Sequence, residues 1–412
     1  MVLYVYTPYQ KNERRQTMKS CKIDSSFFDV EHNRNNTGSV KYDRIPVGTH
    51  YSDIIPMWIA DMDFKVPPQV EDALTQTSRH GIFGYTDIDS EYDLAVVNWY
   101  SQRMNWDILP EWIIKTPGVM FAIAAAINAF TDTNDSILIC QPVYYPFSNI
   151  ITENKRNLVV SQLRVSGERY EIDFEDFEEK IKENNIKMFL LCSPHNPVGR
   201  VWTKDELCEI GRICRKYNVL IVSDEIHSDF IYKGYRHIPI ISLSDELAEN
   251  TITCTSPSKT FNLAGLQAAN IIVKNPFLRK KLQQACNATG YSNLNTMAIN
   301  AVKAAYKYGQ PWLDTLLEYL ESNISFLKKS LDDCDISLIS PEGTYLMWID
   351  CRKLHLSDRE LRGFFINEAG IYLHSGSTFG KGGTGFMRMN IACPKATLSK
   401  AVSRLKEALI KI

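Results

Sequence analysis

Lys259 stands where a β-branched run, Thr253-Cys254-Thr255, gives way through Ser256-Pro257-Ser258 to a loop. A lysine held among apolar and hydroxyl residues loses proton affinity by desolvation and becomes an amine able to form a Schiff base. Ser256 and Ser258 are spaced to bind an anion beside it. A lysine after a serine is more often a solvated loop residue, so this chemistry depends on partners elsewhere in the chain.

Two other strand ends supply them. An apolar run at 188–192 leads into Ser193-Pro194-His195-Asn196-Pro197-Val198-Gly199, where prolines and a glycine make a rigid loop that presents Asn196. A second run at 219–222 leads into Ser223-Asp224-Glu225-Ile226-His227, which sets an acid just past a buried strand. An amide, an acid and a lysine at one edge of one sheet are what a pyridoxal phosphate site requires. The lysine carries the Schiff base, the acid keeps the pyridine nitrogen protonated, and the amide donates to the phenolic oxygen.

The elements that position these residues follow from pattern. A short strand at 113–116 meets Pro117-Gly118, and an Ala-rich helix follows at 119–130; its first free amides suit a phosphate, although an ordinary βα turn has the same signature. Further strands are expected at 136–140, 158–163, 188–192, 219–222, 251–255 and 270–273, with helices between them such as 174–183 and 204–217. Alternation sustained over about 200 residues implies α/β architecture, a mainly parallel sheet covered by helices. Ligands on such sheets bind at the carboxyl ends of the strands.

Beyond it, a long amphipathic helix at 312–331, strands at 336–339, 345–349 and 385–391, and helices near 358–368 and 398–410 read as a smaller α+β unit. The expected division is a disordered extension at 1–17, with Met18 as an alternative start; a small domain from 18–60 and 311–412; and a large cofactor-binding domain at 61–310. Residues 54–64 are dense in apolar side chains and carboxylates, Pro67-Pro68 opens a helix, and 81–86 is a glycine-punctuated aromatic loop.

Composition narrows the partner. The chain has 412 residues, with 46 basic against 48 acidic side chains and no block of like charge, so a small molecule is expected rather than nucleic acid or a membrane surface. Its ten cysteines form no CxxC pair and its eight histidines no HExxH or HxH; reduced thiols and no metal site are expected. No apolar run approaches the roughly 20 residues of a spanning helix, and a soluble, cytoplasmic protein is expected.

Taken in order, PMWIADMDF, GIFGYT, TPGVMFAIAAAI, SPHNPVGRVWTKDEL, VSDEIHSDF, TCTSPSKTFNLAGLQAANII, PEGTYLMWID and GFMRMNIACP resemble the fold-type I pyridoxal phosphate enzymes, and within them the MalY/PatB-type cystathionine β-lyase branch. The resemblance runs from about residue 25 to about residue 410. It implies that Lys259 is the Schiff-base lysine, Asp224 the partner of the pyridine nitrogen and Asn196 the donor to the phenolic oxygen. Tyr144 matches the aromatic that stacks on the ring, and the Val119 and Met120 amides with Ser256 and Ser258 match the phosphate cradle. Tyr85 matches a catalytic tyrosine that reaches into the neighbouring subunit's site, which implies a homodimer. Arg388 matches the arginine for the substrate α-carboxylate, for which a planar guanidinium is suited and lysine is not.

Gln267 stands where many aminotransferases carry a phosphate-binding arginine, and His227 where they carry a tyrosine. Both departures resemble the β-lyase branch. They leave open which side chain balances the phosphate charge and whether His227 touches the cofactor or only packs. Gly376-Ser377-Thr378-Phe379-Gly380-Lys381-Gly382 approaches a phosphate-binding P-loop but has the wrong glycine spacing and no Ser/Thr after its lysine, so it is expected to be a flexible loop near Arg388. The function expected is β-elimination from cystathionine or another cysteine S-conjugate, giving a thiol, pyruvate and ammonia. An amino-acid aminotransferase is the alternative on the same scaffold; a non-catalytic binding protein is a third.

Overall fold

The computed structural model describes residues 23–45, 51 and 53–411. The expected extension at 1–17 and the first residues of the expected small domain lie outside them.

Seven strands form the main sheet: β1 (Ile113–Thr116), β2 (Ser136–Gln141), β3 (Asn157–Gln162), β4 (Ile186–Cys192), β5 (Leu220–Asp224), β6 (Thr251–Thr255) and β7 (Ala269–Ile272). In space they run β1-β7-β6-β5-β4-β2-β3. β2, β4, β5 and β6 are mutually parallel in sequence across the sheet, as is the β2–β3 pair. β7 runs antiparallel to both of its neighbours. The run Met188-Phe189-Leu190-Leu191-Cys192 is buried throughout, as a strand covered on both faces must be.

The covering helices show why they form. Val119–Phe130 is rich in alanine, the strongest helix former, and buries six residues against the sheet. Lys204–Lys216 starts with a capping box in which Thr203 and Glu206 satisfy each other's backbone amides, and it buries Leu207, Ile210 and Ile213.

The C-terminal part carries a second sheet, ordered β8 (Ser337–Leu338), β9 (Leu346–Asp350), β11 (Phe386–Asn390), β10 (His374–Ser375). The N-terminal segment joins it: Ile55–Pro56 pairs in parallel with Ile371–Tyr372, and Phe28 lies edge-on to Trp312 with ring centroids 5.5 Å apart.

Several features differ from or extend the expectation. The reversal of β7 makes the main sheet mixed. A small hairpin, Arg164–Ser166 with Arg169–Glu171, and two helices, Pro276–Ala288 and Thr296–Tyr308, were not read from the sequence. The helix near 358–368 divides into an α-helical turn, Asp358–Gly363, and a π-helical turn, Phe364–Glu368, which buries Phe364, Phe365 and Ile366. The glycine-rich stretch at 376–383 is packed rather than loose. A Cβ on Gly383 would lie 2.0 Å from the Gly376 carbonyl oxygen, so glycine there permits a close backbone crossing. Phe379 is buried, and its carbonyl accepts from the Val143 amide at 3.0 Å.

Candidate active site

β4, β5 and β6 bring their carboxyl ends to one edge of the sheet. In register Cys192 lies beside Asp224, and Asp224 beside Cys254, so the segments bearing Asn196, Asp224 and Lys259 leave adjacent strands. Thr116 faces Ala269 while Thr255 faces Asn270; β1 therefore points the same way as β6. The helix that begins at Val119 and Met120 opens on that edge, and no side chain caps its first amides.

Lys259 sits in a one-turn helix, Pro257–Thr260, capped by Ser256, whose hydroxyl accepts from the Ser258 amide at 3.0 Å. The Ser256 hydroxyl also donates to the Ala268 carbonyl at 2.6 Å, which ties the lysine turn to β7. The Lys259 amine donates to the Ala60 carbonyl at 2.6 Å. Desolvation pulls its pKa down to about 8, against the opposing charges of Asp61 and Asp224.

Asp224 is 5 % exposed, and its Oδ1 accepts from the Ile226 amide at 3.1 Å. Burial pushes this carboxyl up to about 7. Among the described residues no cation pairs with it. Tyr144 is half-buried, with its phenol pushed up to about 12 by burial and then by Asp224. The Tyr144 amide donates to the Asn196 carbonyl at 3.0 Å, which joins the two loops.

Arg388 lies on an interior strand of the second sheet, cross-strand from both Trp348 and His374. It is 3 % exposed and donates to Asn196 Oδ1 at 3.0 Å and to the Trp58 carbonyl at 2.7 Å. Phe379 lies under its guanidinium, 4.8 Å from ring centroid to Cζ. Burial pulls its pKa down to about 10. All its partners are neutral: among the described residues no carboxylate pairs with Arg388, and its Nε has no acceptor. A buried guanidinium held this way is short of an anion.

His227 is buried 5.9 Å from the Tyr345 ring, and its Nδ1 has no partner. Burial, reinforced by Lys259 and Arg388, lowers its pKa to about 3 and keeps it neutral. Tyr85 stands apart from this cluster within the chain, fully exposed on a loop with Ile82 and Phe83 also exposed. Gln267 is exposed too.

The structure adds residues that the sequence reading passed over. The Ala60 carbonyl receives both Lys259 and the Tyr345 hydroxyl, the latter at 3.1 Å. The loop that bears it is clamped by charge: Arg34 forks onto Asp61 at 2.8 and 2.9 Å, and Asp63 receives Arg34 at 2.8 Å and buried Lys41 at 2.8 Å. Asn390 Nδ2 bonds the Ile59 and Asp61 carbonyls at 2.6 and 2.7 Å. Asp61 and Asp63 within an otherwise apolar motif were a visible signal that cations had to come from elsewhere.

Pyridoxal phosphate fits these residues. A buried carboxylate without a cation suits a protonated pyridine nitrogen, uncapped helix amides suit a phosphate, and a lysine of lowered basicity suits a carbonyl carbon. Fold and site together define the fold-type I pyridoxal phosphate transferase scaffold. Residues 52–405 match the family described as Aminotransferase class I and II, and the chain belongs to that family. It is 40% identical over 386 residues to Cystathionine beta-lyase PatB of Bacillus subtilis (strain 168), covering 93% of this chain and 99% of that protein. Among solved structures, a PLP-bound putative aminotransferase from Clostridium difficile 630 superposes with a TM-score of 0.90 at 44% identity, covering 93% and 99% of the two chains. Cystalysin from Treponema denticola, which contains a pyridoxal 5'-phosphate cofactor, also gives 0.90, at 38% identity over 93% and 98%.

Proposed function

We propose that the protein is a pyridoxal phosphate-dependent carbon–sulfur β-lyase that cleaves cystathionine or a related cysteine S-conjugate to a thiol, pyruvate and ammonia. The observation that carries this reading is Arg388, a buried guanidinium without a carboxylate, in the same cluster as Lys259 and Asp224. The 40% identity to a protein named cystathionine beta-lyase supports the choice of reaction.

When bound, pyridoxal phosphate supplies an electron sink for charge that develops at the substrate Cα. Asp224 would hold a proton at its pyridine nitrogen, and Asn196 would donate to its phenolic oxygen. Tyr144 would stack on its ring, and the Val119 and Met120 amides with Ser256 and Ser258 would hold its phosphate. Neutral His227, with its Nδ1 unpartnered, would be available to the same cofactor. Arg388 grips the substrate α-carboxylate through two of its guanidinium nitrogens. Lys259, whose lowered pKa leaves a usable fraction of free amine at neutral pH, removes the Cα proton as general base. Breakage of the Cβ–S bond then leaves the electron pair on sulfur.

Tyr85 completes the neighbouring subunit's site in a homodimer, a reading supported by its full exposure beside exposed Ile82 and Phe83. The large domain spans 61–310, and the smaller comprises 18–60 with 311–412; pairing of Ile55–Pro56 with Ile371–Tyr372 supports that grouping. The cysteine spacing supports a cytoplasmic location, and no helix among the described residues is long and apolar enough to cross a membrane.

Pyruvate release from L-cystathionine by the purified holoenzyme, with no keto acid added, tests the reaction. Lys259→Ala is expected to lower the rate on the order of 10³-fold. The 44% identity to a putative aminotransferase favours transamination as the second reading. Turnover that requires an added keto acid and yields no pyruvate would replace the lyase with it.

A further inference from the structure

Next to Arg388 lies a cleft of about 650 Å³ lined by Trp58, Arg359, Arg362, Tyr372, His374 and Ser377, among others. It reaches Arg388 through two of its lining residues, His374 and Trp58. His374 Nδ1 is 3.5 Å from Arg388 Nη2, and the Trp58 carbonyl is 2.7 Å from the same nitrogen. A run of rings leads outward from there, with centroids 6.1 Å apart for Trp58 and His374 and 5.0 Å for Trp58 and Tyr372. Arg362 Cζ then lies 6.0 Å from the Tyr372 centroid.

Arg359 and Arg362 are three apart on the helix Asp358–Gly363, so they repel each other. Among the described residues neither has an acidic partner. The one carboxylate lining the cleft, Asp358, has Oδ1 engaged by the Gly385 amide at 2.9 Å. The charge of Arg362 reaches inward, since it helps Arg388 and burial hold His374 in its neutral form. Two unpaired guanidinium groups and an aromatic wall thus continue the site on the side of Arg388.

We propose that this cleft is the subsite for a second carboxylate, carried on the group attached to the substrate's sulfur, and that Arg362 with Arg359 binds it. The inference rests on the β-lyase reading and narrows its substrate class to dicarboxylic conjugates. Arginine suits the task because its fork pairs both carboxylate oxygens, and the aromatic wall orients its plane.

The test compares wild-type holoenzyme with an Arg359→Gln/Arg362→Gln double variant on two substrates, L-cystathionine with a distal carboxylate and S-ethyl-L-cysteine without one. The ratio of kcat/KM for cystathionine over S-ethylcysteine is expected to fall about tenfold, mainly through KM, with partial recovery in Arg362→Lys. An unchanged ratio overturns the subsite. Should neither conjugate yield pyruvate with the wild-type protein, the lyase reading fails and binding decides the subsite separately. Calorimetry with suberate, a linear dicarboxylate as long in chain as cystathionine, is then set against octanoate, its monocarboxylate counterpart. Suberate affinity that falls about tenfold relative to octanoate in the double variant supports the subsite; equal changes in both overturn it.

Discussion

Asp224 and Lys259 are each held away from their ordinary titration by burial, in opposite directions. The carboxyl moves from 3.8 to about 7, so between those values the folded cofactor-free protein binds a proton that the unfolded chain has released. The stability this contributes is fully present below about pH 4 and is lost as pH rises through 7. Asp224→Asn removes the loss. In cofactor-free protein the variant should melt at the same temperature as the parent at pH 4 and higher at pH 8, by at most on the order of 4 kcal/mol. A difference in melting temperature that stays constant with pH would refute this account of the site. The same carboxylate is useful once a positive nitrogen lies against it, which is why a stability cost is tolerated at this position.

Among the elements, the loop at 57–64 matters more than its lack of regular structure suggests. Lys41 is buried and gives Asp63 its second cation at 2.8 Å. Lys41→Met breaks that buried pair and should cost about 3 kcal/mol, read as a lowered urea midpoint. Activity should fall with it, because the Ala60 carbonyl that receives Lys259 belongs to the same loop. Unchanged urea stability would mean that Arg34 alone holds Asp63. Local pattern made the strands of the main sheet, the helices Val119–Phe130 and Phe174–Glu183 and the strand-end residues legible, since each is written in contiguous residues. The clamp was not: Arg34 and Lys41 lie in polar turns that resemble any solvated loop, and their meaning arises only when Asp61 and Asp63 are brought to them. The antiparallel course of β7 was equally hidden, because Asn270-Ile271-Ile272 reads alike in either direction. The glycines at 376–383 signalled flexibility in sequence, yet they serve close packing beneath Arg388.

For the whole molecule, the exposed Tyr85 is the test of assembly. On the proposed homodimer, the Lys259→Ala and Tyr85→Ala variants should each be strongly impaired. Mixed and allowed to exchange, they should recover about a quarter of wild-type activity, because half of the dimers are hybrid and each hybrid has one intact site. No recovery despite exchange, shown by labelled subunits, would place Tyr85 outside the neighbouring site.

The strand order also has a bearing on how the chain is made. β1 is the first strand of the main sheet to leave the ribosome, yet among the described strands it pairs only with β7, the last. At usual translation rates the roughly 150 intervening residues take about 10–30 s. During that time Ile113 and Ile114 have no sheet to join, and the growing parallel strands present an unfinished edge. For more than a third of its synthesis the nascent chain therefore carries an unpaired first strand and an open sheet edge, and both are closed together when β7 enters between β1 and β6.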